Sequence, residues 1–271
     1  QLFIGSEGTL GVVTRAVLRL YPQPSSRCSA LLAVADFPAV VKLLQHAQRN
    51  FAGALSVFEV MWQSYYHFIT EHVPGVVSPF TATHPLYVLL EFEGADAERD
   101  QAHFEAVLAA AMEEGVVSDA VIAASGKDRE GFWKIRDGVA EIGNFIRHVG
   151  NFDVSVPISS MPAFLREVEA DLQAALPDLQ MMVFGHVADS NLHFLCHTGR
   201  HEDIPLIHAT VYAVVGRYQG SVSAEHGIGV QKSKVLHHSR SAEEIALMAT
   251  LKAALDPQQI LNRGRVLGGT P

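Results

Sequence analysis

Two periods of apolar residues alternate along most of this chain. Short, dense runs at 30–34, 55–60, 86–92, 120–124 and 152–156 read as strands buried on at least one side. Between them, apolar residues recur three and four positions apart, the spacing of an amphipathic helix. That spacing predicts helices over 37–51, 64–72, 97–114, 132–148, 161–176, 204–218, 229–235 and 242–255. Residues 73–84 read as an irregular loop. Residues 12–21 alternate as a strand interrupted by Arg15 and Arg19, and Pro22-Gln-Pro24 is a linker. The order strand–helix–strand–strand–helix–strand occurs twice. It predicts an α+β fold in which duplicated ferredoxin-like units merge into one antiparallel sheet with helices on one face. No internal sequence repeat is legible.

The run 179–197 is two apolar segments around Ala188-Asp189-Ser190-Asn191, a cluster of turn formers. A two-residue turn at Asp189-Ser190 pairs Ala188 with Asn191, Val187 with Leu192, and His186 with His193. Cβ atoms of cross-strand partners lie about 4.5–5.5 Å apart, within reach of one metal ion. Glu225, in Ser223-Ala-Glu225-His226-Gly227, would add a third ligand and leave a position open. His226 would then stand beside the site, free to act as a base. The chain carries 14 histidines, however, and two on a strand are as often ordinary core or surface groups. Spacing alone leaves both readings open. His197, His201, His237 and His238 have no ligand spacing and read as surface groups.

Composition narrows the class. With 48% hydrophobic and 18% charged residues, 271 residues can bury a large core. A net charge of −9 argues against nucleic acid as a partner, though not against a small anion, because local fields outweigh the total. No apolar run is long enough for a transmembrane helix, and no signal peptide opens the sequence. Cys28 and Cys196 form no CxxC motif. They are expected to be thiols in a reducing compartment, the cytoplasm or an organelle matrix.

Gly185-His186-Val-Ala-Asp-Ser-Asn191-Leu-His193 and Gly220-Ser-Val-Ser-Ala-Glu225-His226-Gly227-Ile-Gly229 together resemble the FAD-linked D-2-hydroxyacid dehydrogenases. This family spans D-lactate dehydrogenase, the glycolate oxidase flavin subunit and D-2-hydroxyglutarate dehydrogenase. The resemblance implies that His186, His193 and Glu225 hold a divalent metal, with Zn favoured by two imidazoles and a carboxylate. It implies His226 as the base and Arg136, in Trp133-Lys-Ile-Arg136, as the anchor of the substrate carboxylate, with Asn191 as a second substrate contact. Gly5-Ser6-Glu7-Gly8-Thr-Leu-Gly11-Val12 is similar to a signature near the end of the family's flavin domain. Asn262 lies in a segment similar to the family's terminal motif beside the flavin, although Arg263 and Arg265 replace its proline and lysine. These residues are the expected FAD contacts.

On this resemblance, residues 1–24 are the tail of an otherwise absent FAD-binding domain, and 25–271 are the substrate or cap domain. The expected partners are a small 2-hydroxycarboxylate, the missing N-terminal FAD domain and an electron acceptor; a homodimer is compatible. The chain alone is not expected to turn over. Asn151 and Leu195 replace a lysine and an asparagine found in relatives that use dicarboxylates, which predicts lactate-like or glycolate-like substrates. Two other classes use similar residues: a metallohydrolase with the same His/His/Glu site, and a non-catalytic interaction module.

Overall fold

In the computed structural model, which describes residues 1–268, seven strands form one antiparallel sheet in the order β4-β1-β3-β2-β6-β7-β5. The first half comprises β1 (Ser26–Val34), α1 (Phe37–Phe51), β2 (Leu55–Trp62), α2 (Gln63–His72), β3 (Leu86–Gly94), α3 (Ala97–Glu113) and β4 (Asp119–Ile122). After α4 (Gly126–Asp137) the second half follows: β5 (Gly150–Ser155), α5 (Met161–Ala175), β6 (Gln180–Gly185), β7 (Asn191–His197) and α6 (Ile204–Arg217). α7 (Ala242–Leu255) comes last.

The halves repeat one strand and helix order, although α2 and β4 have no full counterpart in the second. Strands β1–β4 lie in the order 4-1-3-2, the ferredoxin-like order. In the second half β6-β7-β5 repeats 2-3-1, and Ser221 bridges Ser155 where a fourth strand would lie. The halves join edge to edge where Val60 and Met61 pair with Gly185 and Phe184.

Strand alternation sorts the side chains into two cores. Ala30, Leu32, Val34, Phe152, Val154 and Phe194 face the long helices α1, α3, α5 and α6. The opposite residues, among them Leu31, Ala33, Met61, Tyr87, Leu89 and Leu195, face α2 and α4. The expected helical face is therefore present, and a shorter helical layer covers part of the other. α4 is tied to that layer by Glu91, 1% exposed, which accepts from Trp133 Nε1 at 2.8 Å and Arg129 Nη2 at 2.9 Å.

Four elements differ from the sequence reading. Residues 12–21 are not a strand: Val17 and Leu20 are almost wholly exposed, and the segment pairs with nothing among the described residues. Alternation needs a neighbouring ladder before it becomes a strand. The helix expected over 132–148 starts earlier, at a Ser125 cap that accepts from the Asp128 amide, and gives way to a 3-10 segment, Gly138–Asn144. Gly138 lies so close to α2 that a Cβ would stand 2.5 Å from Ile69 Cγ2. Residues 229–235 do not form one helix, since Gly229 has φ of 56°; a 3-10 turn follows at Ser233–His238.

The fourth difference is the hairpin register. Phe184, not His186, pairs with His193. Residues 186–190 form a longer turn closed by the Asn191 amide on His186 O at 3.2 Å, with Ser190 left-handed at φ 69°. Val187, fully buried within this turn, joins the same core as Leu192. The slip is two residues, so His193 keeps its predicted face. His197 also departs from expectation: it is buried, and burial pushes its imidazole below the usual range. Cys28 and Cys196 are buried free thiols.

Candidate active site

Phe184, His193 and Asp153 stand side by side on β6, β7 and β5, on the face shared with α2 and α4. The Phe184 ring stacks on His193 at 5.1 Å between centroids. His193 is 5% exposed, and burial pushes its pKa down to about 4, against the pull of Glu225. The imidazole is therefore neutral at pH 7, as a metal ligand must be.

Asp153 organises the segment that crosses this row. Its Oδ2 accepts from the His226 amide at 2.9 Å and Ser223 Oγ at 3.0 Å, and Oδ1 accepts from the Glu225 amide at 3.2 Å. Lys232 Nζ lies 3.4 Å away. Burial opposes the Asp153 charge, but the His226 amide, Lys232 and Ser223 together hold its carboxyl below the usual range. Burial also pulls Lys232 down, partly offset by Asp153.

So held, Glu225 places Oε1 3.1 Å from His193 Nε2, and His226 Nε2 lies 3.5 Å from the same oxygen. The His193 and His226 rings are 5.5 Å apart. One ligand atom from each of Asp153, His193, Glu225 and His226 falls within 4.8 Å of the others. A compact set of two imidazoles and two carboxylates suits a divalent cation of the Zn type. The Oδ1 of buried Asn191 has no partner among the described residues, and its Nδ2 is 3.4 Å from His193 Nε2. An unsatisfied buried acceptor beside the cluster fits a site built to hold something more.

His186 stands at the rim of this cluster. Its ring is 5.2 Å from that of His193, and Nδ1 is 3.9 Å from Glu225 Oε2. Its other nitrogen, Nε2, faces Arg136 Nη2 at 2.6 Å and Glu59 Oε1 at 3.4 Å. Arg136 also donates to Glu59 Oε2 at 3.1 Å and Asp137 Oδ1 at 3.2 Å. Arg136 thus lies beside His186 while also making the local pair with Asp137.

The two segments expected to touch a flavin meet each other. Asn262 Nδ2 donates to Glu7 O, and the Glu7 carboxylate accepts from the amides of Ile228 and Gly229 at 2.6 and 2.8 Å. Gly5 faces open space with φ of 72°, and Val12 is exposed. Ser6 is turned to Phe3 O, and Gly11 packs near the Phe3 ring. The Glu7 side chain is therefore engaged within the chain, whereas Gly5, Gly8 and Val12 leave an accessible edge. An adjoining cavity of about 180 Å3 is lined by Leu2, Ile4, Gly5, Met248 and Leu251.

Sequence reasoning missed Asp153, Glu59 and Lys232. For the first two a signal existed: each is a lone carboxylate inside an apolar strand, a position that charge occupies only when partnered.

Residues 23–266 match the family described as "FAD linked oxidases, C-terminal domain". The chain belongs to this family. It is 38% identical over 270 residues to the mitochondrial D-2-hydroxyglutarate dehydrogenase of Arabidopsis thaliana, covering 98% of this chain and 48% of that protein. It is equally identical to the D-2-hydroxyglutarate dehydrogenase of Xanthomonas citri pv. viticola, with 98% and 57% covered. A putative mitochondrial D-lactate dehydrogenase of Schizosaccharomyces pombe is 31% identical, with 96% and 52% covered. The chain thus spans about half the length of these relatives. Its fold is shared with p-cresol methylhydroxylase, TM-score 0.66 at 12% identity over 91% of this chain and 53% of that one. It is shared likewise with alkyldihydroxyacetonephosphate synthase, TM-score 0.63 at 16% identity over 95% and 48%.

Proposed function

We propose that this chain is the substrate-binding half of an FAD-dependent oxidoreductase that converts a D-2-hydroxyacid into the 2-oxoacid. The observation that carries the reading is the convergence of His193, Glu225 and His226 over Asp153 on one face of the sheet. Family membership and the names of the full-length relatives support it.

His193 and Glu225 are the metal ligands in this reading, completed by His186 when its Nε2 or Nδ1 turns inward. These residues would hold a divalent cation, which would supply Lewis acidity to the substrate's hydroxyl and carboxylate oxygens. His226, more exposed than His193, takes the hydroxyl proton on Nε2. Arg136, whose planar fork suits a carboxylate, and Asn191 orient the acid. The Gly5–Val12 and Asn262 edge would hold FAD, which would supply the hydride acceptor for the substrate carbon.

For the acid itself we favour a monocarboxylate such as lactate or glycolate. Asn151 and Leu195 are direct cross-strand partners on the site face, and neither offers a charge to a second carboxylate. The eukaryotic relatives are mitochondrial by name, and no described helix is long and apolar enough to cross a membrane.

Elemental analysis of the purified chain, beside its His193→Ala variant, tests the metal site. Close to one divalent ion per wild-type chain, lost in the variant, is expected. Equal and negligible metal in both would overturn the site.

A further inference from the structure

Residues 223–229 carry the proposed ligand and base, yet no helix or strand holds them. Backbone contacts from elsewhere in the chain are the Ser155–Ser221 bridge next door, the Ala224 amide on Asp153 O at 3.3 Å and the Val266 amide on Gly229 O at 2.9 Å. Ser223 Oγ donates to Gly227 O at 2.8 Å within the loop, and two carboxylates take four of its amides. On one side of Gly227, the amides of Glu225 and His226 point at Asp153; on the other, those of Ile228 and Gly229 point at Glu7.

We infer that Asp153 and Glu7 are positioning residues, which clamp the loop from both ends and so present Glu225 and His226 as one unit. The inference rests on the roles proposed above for those two residues. Hydrogen bonds from amides to ionised carboxylates are roughly twice as strong as neutral ones, so four of them can replace a missing ladder.

Gly227 carries the mark of this arrangement. It has φ of 85°, and a Cβ there would stand 2.8 Å from Glu7 Oε1. The close approach of Glu7 and the left-handed turn both require glycine between the two clamped halves. Asp153 is matched in turn by Lys232, which donates to Asp153 O at 3.3 Å and Ser223 Oγ at 3.0 Å. Asp153 Oδ2 is shared by Ser223, Lys232 and the Glu225 and His226 amides. That oxygen faces the loop's donors, which makes Asp153 a holder of ligands more than a ligand. Glu7 comes from the first segment of the chain, so that segment and the base loop are set together.

The test uses the whole chain and compares Asp153→Asn, Glu7→Gln and a control, Glu91→Gln, by amide hydrogen exchange and Zn2+ titration. Glu91 is equally buried but serves α4. In Asp153→Asn the Glu225 and His226 amides should exchange at least tenfold faster, and Zn2+ should bind about 10–100-fold more weakly. In Glu7→Gln the faster amides should be those of Ile228 and Gly229. Glu91→Gln should lower thermal stability while leaving Zn2+ affinity within about twofold of wild type. Wild-type exchange at 225 and 226 in Asp153→Asn, or equal loss of Zn2+ affinity in Glu91→Gln, overturns the inference. If Asp153→Asn does not fold, Glu7→Gln decides, since Glu7 lies outside the core. If wild type binds no Zn2+, the metal reading fails, and the exchange pattern alone decides the clamp.

Discussion

Arg136 Nη2 and His186 Nε2 lie 2.6 Å apart, and only the imidazole can accept. A guanidinium has five donors and no lone pair. The contact therefore uses the Nε2 lone pair of His186, the electron pair that would otherwise reach a cation. On the proposed reading, Arg136 and a metal ion would compete for it. A substrate carboxylate that draws Arg136 away would free His186 for the ion, linking substrate binding to completion of the ligand set.

Arg136→Met should consequently have opposite effects on two ligands. Removing a charge-assisted bond worth about 1.5–3 kcal/mol, and a neighbouring positive charge, should tighten Zn2+ binding about tenfold. The same change should raise KM for the hydroxyacid at least tenfold. Unchanged or weaker Zn2+ binding in Arg136→Met would remove the competition from the account.

Glu225 and His226 are neighbours that need different roles. In extended chain their side chains would point apart, yet both reach the same cluster because the chain is bent over residues 224–226. His226→Ala should keep the metal and slow flavin reduction by about 10²–10⁴-fold in the protein with its flavin bound. Glu225→Ala should lose metal and activity together. Metal content beside single-turnover flavin reduction separates the two, and the reverse pattern would exchange the assignments.

Much of this was readable beforehand, and the failures have physical causes. α1 and α7 lie where apolar spacing put them, and the structure adds Asp36 and Ser241 as their N-caps. The duplicated strand order was legible because strand and helix periods differ. The hairpin register was not: the turn formers at Asp189-Ser190 fit a two-residue turn, whereas the chain makes a longer one with Ser190 left-handed and the Asn191 amide on His186 O. His193 survived that error because a two-residue slip preserves parity, whereas His186 moved off the strand to the rim. Asp153 and Glu59 escaped notice because hydrophobic patterning records a strand carboxylate as an interruption. Only the fold reveals its partners, Lys232 and Arg136.

Asn151 bears on substrate choice. It lines a cavity of about 430 Å3 with Asp153, His226, Lys232 and Arg265. Lys232 is already committed to Asp153, so it adds little free charge. A panel of D-2-hydroxyacids should show higher kcat/KM for lactate or glycolate than for 2-hydroxyglutarate. Asn151→Lys should raise the value for the dicarboxylate about tenfold, the scale of one charge-assisted bond. A strong wild-type preference for 2-hydroxyglutarate would show that another cation serves the second carboxylate.

The last prediction concerns stability far from the chemistry of the base. Lys252, 9% exposed on α7, donates to Thr9 O at 2.9 Å, Leu261 O at 2.8 Å and Asp256 Oδ2 at 2.5 Å. One ammonium thus ties the first segment, α7 and the chain beyond it, and these carry the expected flavin edge. The hydrogen bond from Lys252, with the Leu261 and Ile260 amides, holds the Asp256 carboxyl down to about 2. An unfolded aspartate titrates near 3.9. The folded value is the lower one, so this group's contribution is fully present above about pH 4 and is lost as pH falls towards 2. Lys252→Met should lower Tm at pH 7 by about 5–10 °C, because it leaves a buried carboxylate and two carbonyls without their donor. Melting both proteins between pH 6 and 2 should then show the gap narrowing only below pH 4. A gap that is constant with pH would mean that the carbonyl contacts, and not the Asp256 pair, carry the stabilisation.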